Sequence, residues 1–303
     1  MNILISGATG FIGTRLCRQL GEDGHNVSAL SRDPASAVRL LPLLRRVSPW
    51  DPLISRPPEE AFENIDAVVH LAGESVAGRW NSAKKRAIRE SRILGTRHLV
   101  AEIESLGAKP KVLVSASAIG YYGDRGEELL DEEAPPGAGF LSEVCQAWEG
   151  EAARAEELGL RVVRLRSGIV LGAGGGALAT MLPPFKLGLG GPLGSGHQWW
   201  SWVHLDDVIG VIVETLEDET LEGPLNLTAP RPLRQEEFAR ALGQVLGRPA
   251  LLPAPAWALK LALGEFAGEL LASQRVLPRQ IQAQGYHFRF GELEPALRQA
   301  LGR

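Results

Sequence analysis

Tyrosine, cysteine and basic excess are all scarce in this chain, and each gap excludes something. Its two cysteines, Cys17 and Cys145, lie in segments that read as helix. Two are too few for a disulfide framework or a thiolate metal cage, so a reducing compartment, the cytoplasm, fits best. Six histidines are scattered without ligand spacing, so no metal is implied. Thirty-two Lys and Arg stand against 36 Asp and Glu, a net charge of −4, which lacks the footprint of a nucleic-acid or anionic-membrane binder. A long apolar run is missing as well. The most apolar stretch, residues 253–272, is interrupted by Lys260, Glu265 and Glu269. The opening Met1-Asn2-Ile3-Leu4-Ile5 is expected to be a strand rather than a signal peptide. A small-molecule substrate is the expected partner, with a homodimer left open.

What is present is an ordinary globular composition, 45% hydrophobic and 22% charged, over 303 residues, enough for one large domain or two unequal ones. Apolar runs of strand length alternate with helix-periodic segments, which demands crossovers and hence a parallel sheet. The pattern predicts strands at 2–6, 26–31, near Val47, and at 67–72, 111–117 and 161–167, with helices over 11–22, 83–106 and 142–158. Glycine concentrates at 172–176 and 188–196, read as loops able to act as lids. Beyond Pro230 the texture changes to Pro-bounded helical segments at 234–246, 256–271 and 291–301. The expected fold class is α/β, a Rossmann-type doubly wound parallel sheet over 1–228 with a smaller, mainly helical C-terminal domain over 229–303.

The first strand runs straight into Gly7-Ala-Thr9-Gly10-Phe11-Ile12-Gly13, followed by an amphipathic helix. In this context Gly7 permits the tight turn, Gly10 admits a pyrophosphate to the backbone, and Gly13 lets the helix pack on the strand. The second strand ends in Ser31-Arg32 where an NAD site usually carries an acid. A hydroxyl and a guanidinium suit the extra 2′-phosphate of NADP(H).

With these residues the chain resembles the short-chain dehydrogenase/reductase superfamily in its extended or atypical branch. More narrowly, Ser201-Trp-Val-His-Leu-Asp206-Asp207, the Gly190–Gln198 loop and Asn226-Leu-Thr-Ala-Pro230 resemble the nucleoside-diphosphate-sugar epimerase-like family with a helical C-terminal extension. The resemblance implies that Leu71, Ala72 and Gly73 line the cofactor after the fourth strand, and that Asp51 stands near the adenine. It also implies that Arg92, where sugar-nucleotide epimerases carry Asn, is either a cofactor contact or a helix-surface ion-pair partner. Arg166, in the segment similar to the one wrapping the nicotinamide end, is implied as a cofactor or substrate-anion contact.

The catalytic pattern breaks. Alcohol-oxidising members use Tyr-x-x-x-Lys on a helix, the lysine lowering the tyrosine pKa. Here there is no lysine between Lys111 and Lys186, and the matching register holds Leu141 and Cys145. Ser115-Ala-Ser117-Ala-Ile-Gly-Tyr121-Tyr122-Gly123 is similar to the family's Ser-Ser-x-x-x-Tyr-Gly loop. Ser117 is therefore the candidate to orient a substrate oxygen, with Tyr121 or Tyr122 replacing the missing phenol; the alternative is a helper hydroxyl beside two packing aromatics. Trp199, Trp200 and Trp202 form either a core cluster or the mouth of a pocket. Two functions stay open: an NADP(H)-dependent oxidoreductase or epimerase for a small hydroxylated or carbonyl metabolite, and a cofactor-binding sensor or scaffold without chemistry.

Overall fold

The computed structural model describes all 303 residues. Seven strands build one sheet: β1 (Asn2–Ser6), β2 (Asn26–Ser31), β3 (Arg46–Pro49), β4 (Ala67–His70), β5 (Val112–Ala118), β6 (Arg161–Ser167) and β7 (Gly223–Leu227). All pairs are parallel, in the spatial order 3-2-1-4-5-6-7. The chain therefore reverses direction across the sheet between β1 and β4, and the crevice beyond their carboxyl ends is where such sheets take ligands.

Side-chain alternation explains how one sheet serves two apolar layers. Ile3, Ile5, Val69 and Val114 face α1 (Phe11–Glu22) and a helix at Leu205–Glu217. Leu4, Val68 and Leu113 face the opposite layer, with Leu99 and Ile103 of α3 (Ser82–Ser105) and Ala152 of α4 (Phe140–Ala153). Between β2 and β3 lies α2 (Pro34–Leu40). No helix is long and apolar enough to cross a membrane.

Three departures from the sequence expectation have physical reasons. Between the two glycine stretches lies a helix that the pattern leaves unassigned, α5 (Gly176–Lys186), because Pro183 and Pro184 within it read as breakers. The second is α6 (Leu205–Glu217), which had not been predicted; its Val208-Ile209, Val211-Ile212 run is buried and reads equally as strand. The third is the predicted helix over 256–271, which is two, α8 (Ala256–Leu263) and α9 (Phe266–Leu271), following α7 (Gln235–Leu246). Gly264 breaks it at φ +63°, where a Cβ would lie 2.8 Å from the Trp80 carbonyl oxygen.

The chain ends with α10 (Arg279–Ala283) and α11 (Leu293–Ala300). A third core joins Leu171, Leu178, Trp200 and Trp202 to Phe238 and Leu242 of α7 and Leu297 of α11, so packing is continuous across residue 228.

Candidate functional site

The turn after β1 is shaped by contacts that only glycine permits. Gly7 has φ +76°, and a Cβ there would stand 2.8 Å from the Ala72 amide nitrogen, so the turns after β1 and β4 touch. At Gly13 a Cβ would collide with the Gly7 carbonyl oxygen. Helix α1 begins after Gly10 with no side-chain cap and no acid in its first turn, leaving its opening amides and positive dipole end available to an anion. The Phe11 ring turns away into a socket made by Gly172, Gly175 and Gly176, where added Cβ atoms would meet it at 2.5–3.0 Å. Ile12 packs against the core. Phe11 and Ile12 thus offer a ligand their backbone, and the 172–176 glycines serve a packed ring.

A cavity of about 380 Å³ opens beside this turn. It is lined by Gly7, Thr9 and Gly10, by Ser31 and Arg32, by Asp51, and by Leu71, Ala72 and Gly73, which brings together expectations from four separate segments. Arg32 is exposed and makes no ion pair or hydrogen bond within the chain. Its neighbours are ordered: Ser31 Oγ accepts from the Asp33 amide at 3.1 Å, and Asp33 caps α2 through the Ser36 amide at 2.9 Å. Asp51 accepts from the Leu53 amide at 2.9 Å, which fixes its turn.

Arg92 lies behind this wall. Its guanidinium donates to the carbonyls of Glu74 (2.9 Å) and Ile88 (3.1 Å), sits 5.1 Å over the Trp148 ring, and lies 3.5 Å from where a Cβ of Gly73 would be. Burial depresses its pKa, and the neighbouring Cys145 and Glu74 oppose that shift. No carboxylate pairs with it, so the surface ion-pair alternative is set aside. Below the cavity floor, His70 bridges Ser6 Oγ (2.6 Å) and Thr96 Oγ1 (3.0 Å), and Ser6 Oγ in turn receives the Ala72 amide at 3.4 Å. Burial pushes His70 down to about 4, so it is neutral at pH 7. Its scattered place in the sequence concealed this role.

The second centre lies at the ends of β5 and β6. Ser117 Oγ donates to Glu149 Oε1 at 2.6 Å, and Arg166 grips the same carboxylate with two bonds of 2.9 and 2.8 Å. Arg166 also donates to the Tyr122 hydroxyl at 2.9 Å and stacks 3.6 Å from the Tyr121 ring centroid. Tyr122 donates onward to Asn226 Oδ1 at 2.7 Å.

These contacts correct two sequence expectations. Arg166 is 3% exposed and saturated by Glu149, Tyr122 and the Glu132 carbonyl, so it is a clamp inside the fold rather than an anion contact. Burial opposes its charge, yet Glu149 and Tyr122 hold its pKa above the ordinary arginine value. Tyr122 is fully buried, burial pushes its phenol up to about 12, and its hydroxyl is committed to Asn226 and Arg166 inside the fold. Tyr121 is half-buried and its phenol has no partner.

Leu141, Cys145 and Glu149 succeed one another at four-residue spacing on the face of α4 toward this centre. Leu141 packs 3.1 Å from where a Cβ of Gly120 would be, and Cys145 is buried at 3% exposure. Burial pushes the Cys145 thiol up to about 12, so it is no nucleophile. Glu149 belongs to no motif, and its four-residue spacing from Cys145 on that face is the sequence signal for its role. Two further acids near the site, Glu74 and Glu143, are paired, with Lys84 at 2.6 Å and with Arg89 at 3.0 Å.

The pocket-mouth alternative for the tryptophans fails for two of three. Trp200 and Trp202 are core residues. Trp199 is held between Arg234 and Arg275, at 4.1 and 4.2 Å, with its indole nitrogen donating to Glu127 at 2.9 Å. The Gly190–Trp202 loop is not loose either, since Gly190 abuts the Phe185 ring and Gly191 the Leu252 backbone.

With this geometry established, comparison with known proteins is direct. The model of the NAD dependent epimerase/dehydratase family matches residues 3–227, and a domain of unknown function, DUF1731, matches 254–300. The chain is 41% identical to the chloroplastic epimerase family protein SDR39U1 homolog of Arabidopsis thaliana, over 98% of this chain and 86% of that one. It is 37% identical to the epimerase family protein YfhF of Bacillus subtilis, over 99% and 98%. The crystal structure of human SDR39U1, solved with NADPH, superposes with a TM-score of 0.90 at 37% identity, covering 100% of this chain and 99% of that one. The UDP-glucuronic acid 4-epimerase of Bacillus cereus, 18% identical with a TM-score of 0.79, shares the fold. The chain belongs to the NAD dependent epimerase/dehydratase family, as a member similar to SDR39U1 that carries a DUF1731 segment at its C-terminal end.

Proposed function

We propose that this protein binds NADP(H) along the crevice at β1, β2 and β4 and acts on a small hydroxylated or carbonyl metabolite, either by reduction of a carbonyl with NADPH, or by oxidation of a hydroxyl with NADP+ to a carbonyl that is then re-reduced to the epimer. The observation that carries the reading is the cradle made by Gly7, Gly10 and Gly13 beside an arginine free of any internal partner. The open amides at the start of α1 suit the pyrophosphate, and Arg32 with Ser31 suits a 2′-phosphate. Asp51 would border the adenine, and Leu71, Ala72 and Gly73 would present backbone to the dinucleotide. Arg92 gives this wall a cation from α3, close to Cys145, where the superfamily's lysine would come from α4. When bound, the cofactor supplies two-electron reduction of a carbonyl.

For proton movement the chain has Ser117, whose hydroxyl is aimed by Glu149, and Tyr121, whose ring is held by Arg166. The Glu149–Arg166 pair fixes both without moving a proton itself.

A sensor or scaffold without turnover is the second reading, favoured by the replacement of the catalytic pair by Leu141 and Cys145. Calorimetric titration tests the shared step: NADPH is expected to bind at least tenfold more tightly than NADH. Equal affinities would remove the Arg32 argument. Oxidation of bound NADPH by any member of a panel of neutral aldehydes and ketones, lost in Tyr121→Phe, would select the enzyme reading.

A further inference from the structure

Six of the exposed large apolar side chains fall on one face. Leu187, Leu189, Leu251, Leu252, Trp257 and Leu261 are 74, 58, 80, 53, 71 and 69% exposed. They are neighbours by construction of the backbone. The Leu252 amide bonds to the Gly190 carbonyl at 3.3 Å, Gly191 abuts Leu252, and Leu193 pairs with Ala254 just before α8. Helix α8 itself has no buried residue, and Trp257 and Leu261 are one turn apart on it. Six such side chains expose several hundred Å² of apolar surface, about the size at which a patch on a soluble monomer signals a binding surface.

The charge around the patch selects the occupant. Although the whole chain is acidic, there is no Asp or Glu between Glu157 and Asp206, nor between Glu237 and Glu265. The two stretches that supply the patch therefore bring only cations to it. Lys186, Arg248 and Lys260 are exposed and take part in none of the ion pairs of the chain. Of the acids that border it, Glu236 shares a cavity with Arg248 and Leu251, and Glu265 is closed on Lys85 at 2.5 Å. A two-fold contact with a second copy would set these three cations against themselves. Protruding leucines, a tryptophan and unpaired cations instead match the boundary of an anionic bilayer, where indole and leucine side chains enter the headgroup region and lysines meet phosphate.

We propose that the face formed by Leu187–Leu189, Leu251–Leu252 and α8 docks on an anionic lipid surface, as a peripheral contact and without any spanning segment. The whole-chain charge of −4 had pointed away from such a surface; the local distribution points to it. This proposal stands independently of the cofactor and of any turnover.

The test is flotation of the full-length protein with vesicles of phosphatidylcholine alone or mixed equally with phosphatidylglycerol. Flotation is expected only with the mixed vesicles. The bound fraction should fall at least tenfold in Leu251→Asp/Leu252→Asp and about tenfold in Lys186→Glu/Lys260→Glu, while NADPH affinity and melting temperature stay as in the parent. Trp257→Ser serves as a second probe if the double aspartate variant does not fold. Absence of flotation, equal flotation with phosphatidylcholine alone, or equal flotation of the variants would overturn the proposal. So would a dimer in light scattering that Leu251→Asp/Leu252→Asp splits, since the face would then join two copies.

Discussion

The two centres at the carboxyl edge of the sheet are built on opposite principles. Around Gly7, Gly13 and Arg32 the chain leaves donors and a cation unsatisfied and spends glycines to keep space open. Around Ser117, Arg166 and Tyr122 it satisfies nearly every polar atom internally. An open constellation is a receptor for something outside the chain, whereas a closed one holds the chain to itself. The difference explains why a strong nucleotide motif can sit beside a degraded catalytic motif: the cofactor half depends on local backbone shape, and the catalytic half has been turned into a buried network that includes Ser117 and leaves Tyr121 at its margin.

The sharpest way to break this contrast is Glu149→Ala. It leaves the Arg166 guanidinium buried without a counter-charge, and the expected loss is about 3–5 kcal/mol, read from urea unfolding. The double variant Glu149→Leu/Arg166→Met should recover most of it, because the desolvation penalty is removed together with the pair. A loss under about 1 kcal/mol in the single variant would mean that water reaches Arg166 and that the centre is not closed.

His70 gives the next effect and shows that the open cavity rests on a closed floor. Its folded pKa, about 4, lies below an unfolded value near 6.5. The stabilisation from its neutral form is therefore complete above pH 6.5 and is lost as pH falls from 6.5 to 4, by about 3 kcal/mol in all. Unfolding free energies at pH 7, 5.5 and 4.5 should drop more steeply in the parent than in His70→Asn, whose baseline is lower but whose slope lacks this proton. Parallel curves would show that the imidazole is already protonated or exposed.

How much of this could be read from the sequence follows from the distance over which each feature is decided. The first strand and first helix appear with the expected limits, 2–6 and 11–22, because the glycine turn and amphipathic periodicity are local. The cavity-lining residues Ser31, Arg32 and Gly73 follow from motifs at strand ends. Arg166 is misassigned and Tyr122 stays open between phenol and packing aromatic, because their fates depend on Glu149 and on Asn226, 104 residues away from Tyr122, and no spacing rule reports such pairing. The 172–176 glycines were read as freedom of movement, but the Phe11 ring is what requires them, again a contact far along the chain. Trp200 and Trp202 were equally ambiguous, since an indole serves a core and a pocket mouth alike until its neighbours are known.

A smaller effect separates the two tyrosines that the sequence treated alike. Tyr122→Phe strands Asn226 Oδ1 and one Arg166 donor inside the closed network, which should cost about 2 kcal/mol of stability. Tyr121→Phe removes a phenol without a partner and should change stability by less than about 0.5 kcal/mol. Equal losses in chemical unfolding would mean that Tyr121 belongs to the buried network too.

The smallest effect probes the open centre itself. Arg32 is exposed and unpaired, so Arg32→Asp should leave stability within about 0.5 kcal/mol of the parent. A carboxylate at this position would repel a 2′-phosphate and accept from a 2′-hydroxyl, so the change acts on the two cofactors in opposite directions. NADPH affinity should fall about tenfold, roughly 1.4 kcal/mol, while NADH affinity holds or improves, and calorimetry on both ligands reads the ratio. Because Asp33 caps α2 and Ser31 is tied to the Asp33 amide, the loop keeps its shape in the variant and the result reports charge rather than rearrangement. If both cofactors weaken together, Arg32 contributes to the shape of the adenosine end and not to the choice between phosphate and hydroxyl, and the open character of this centre would rest on its glycines alone.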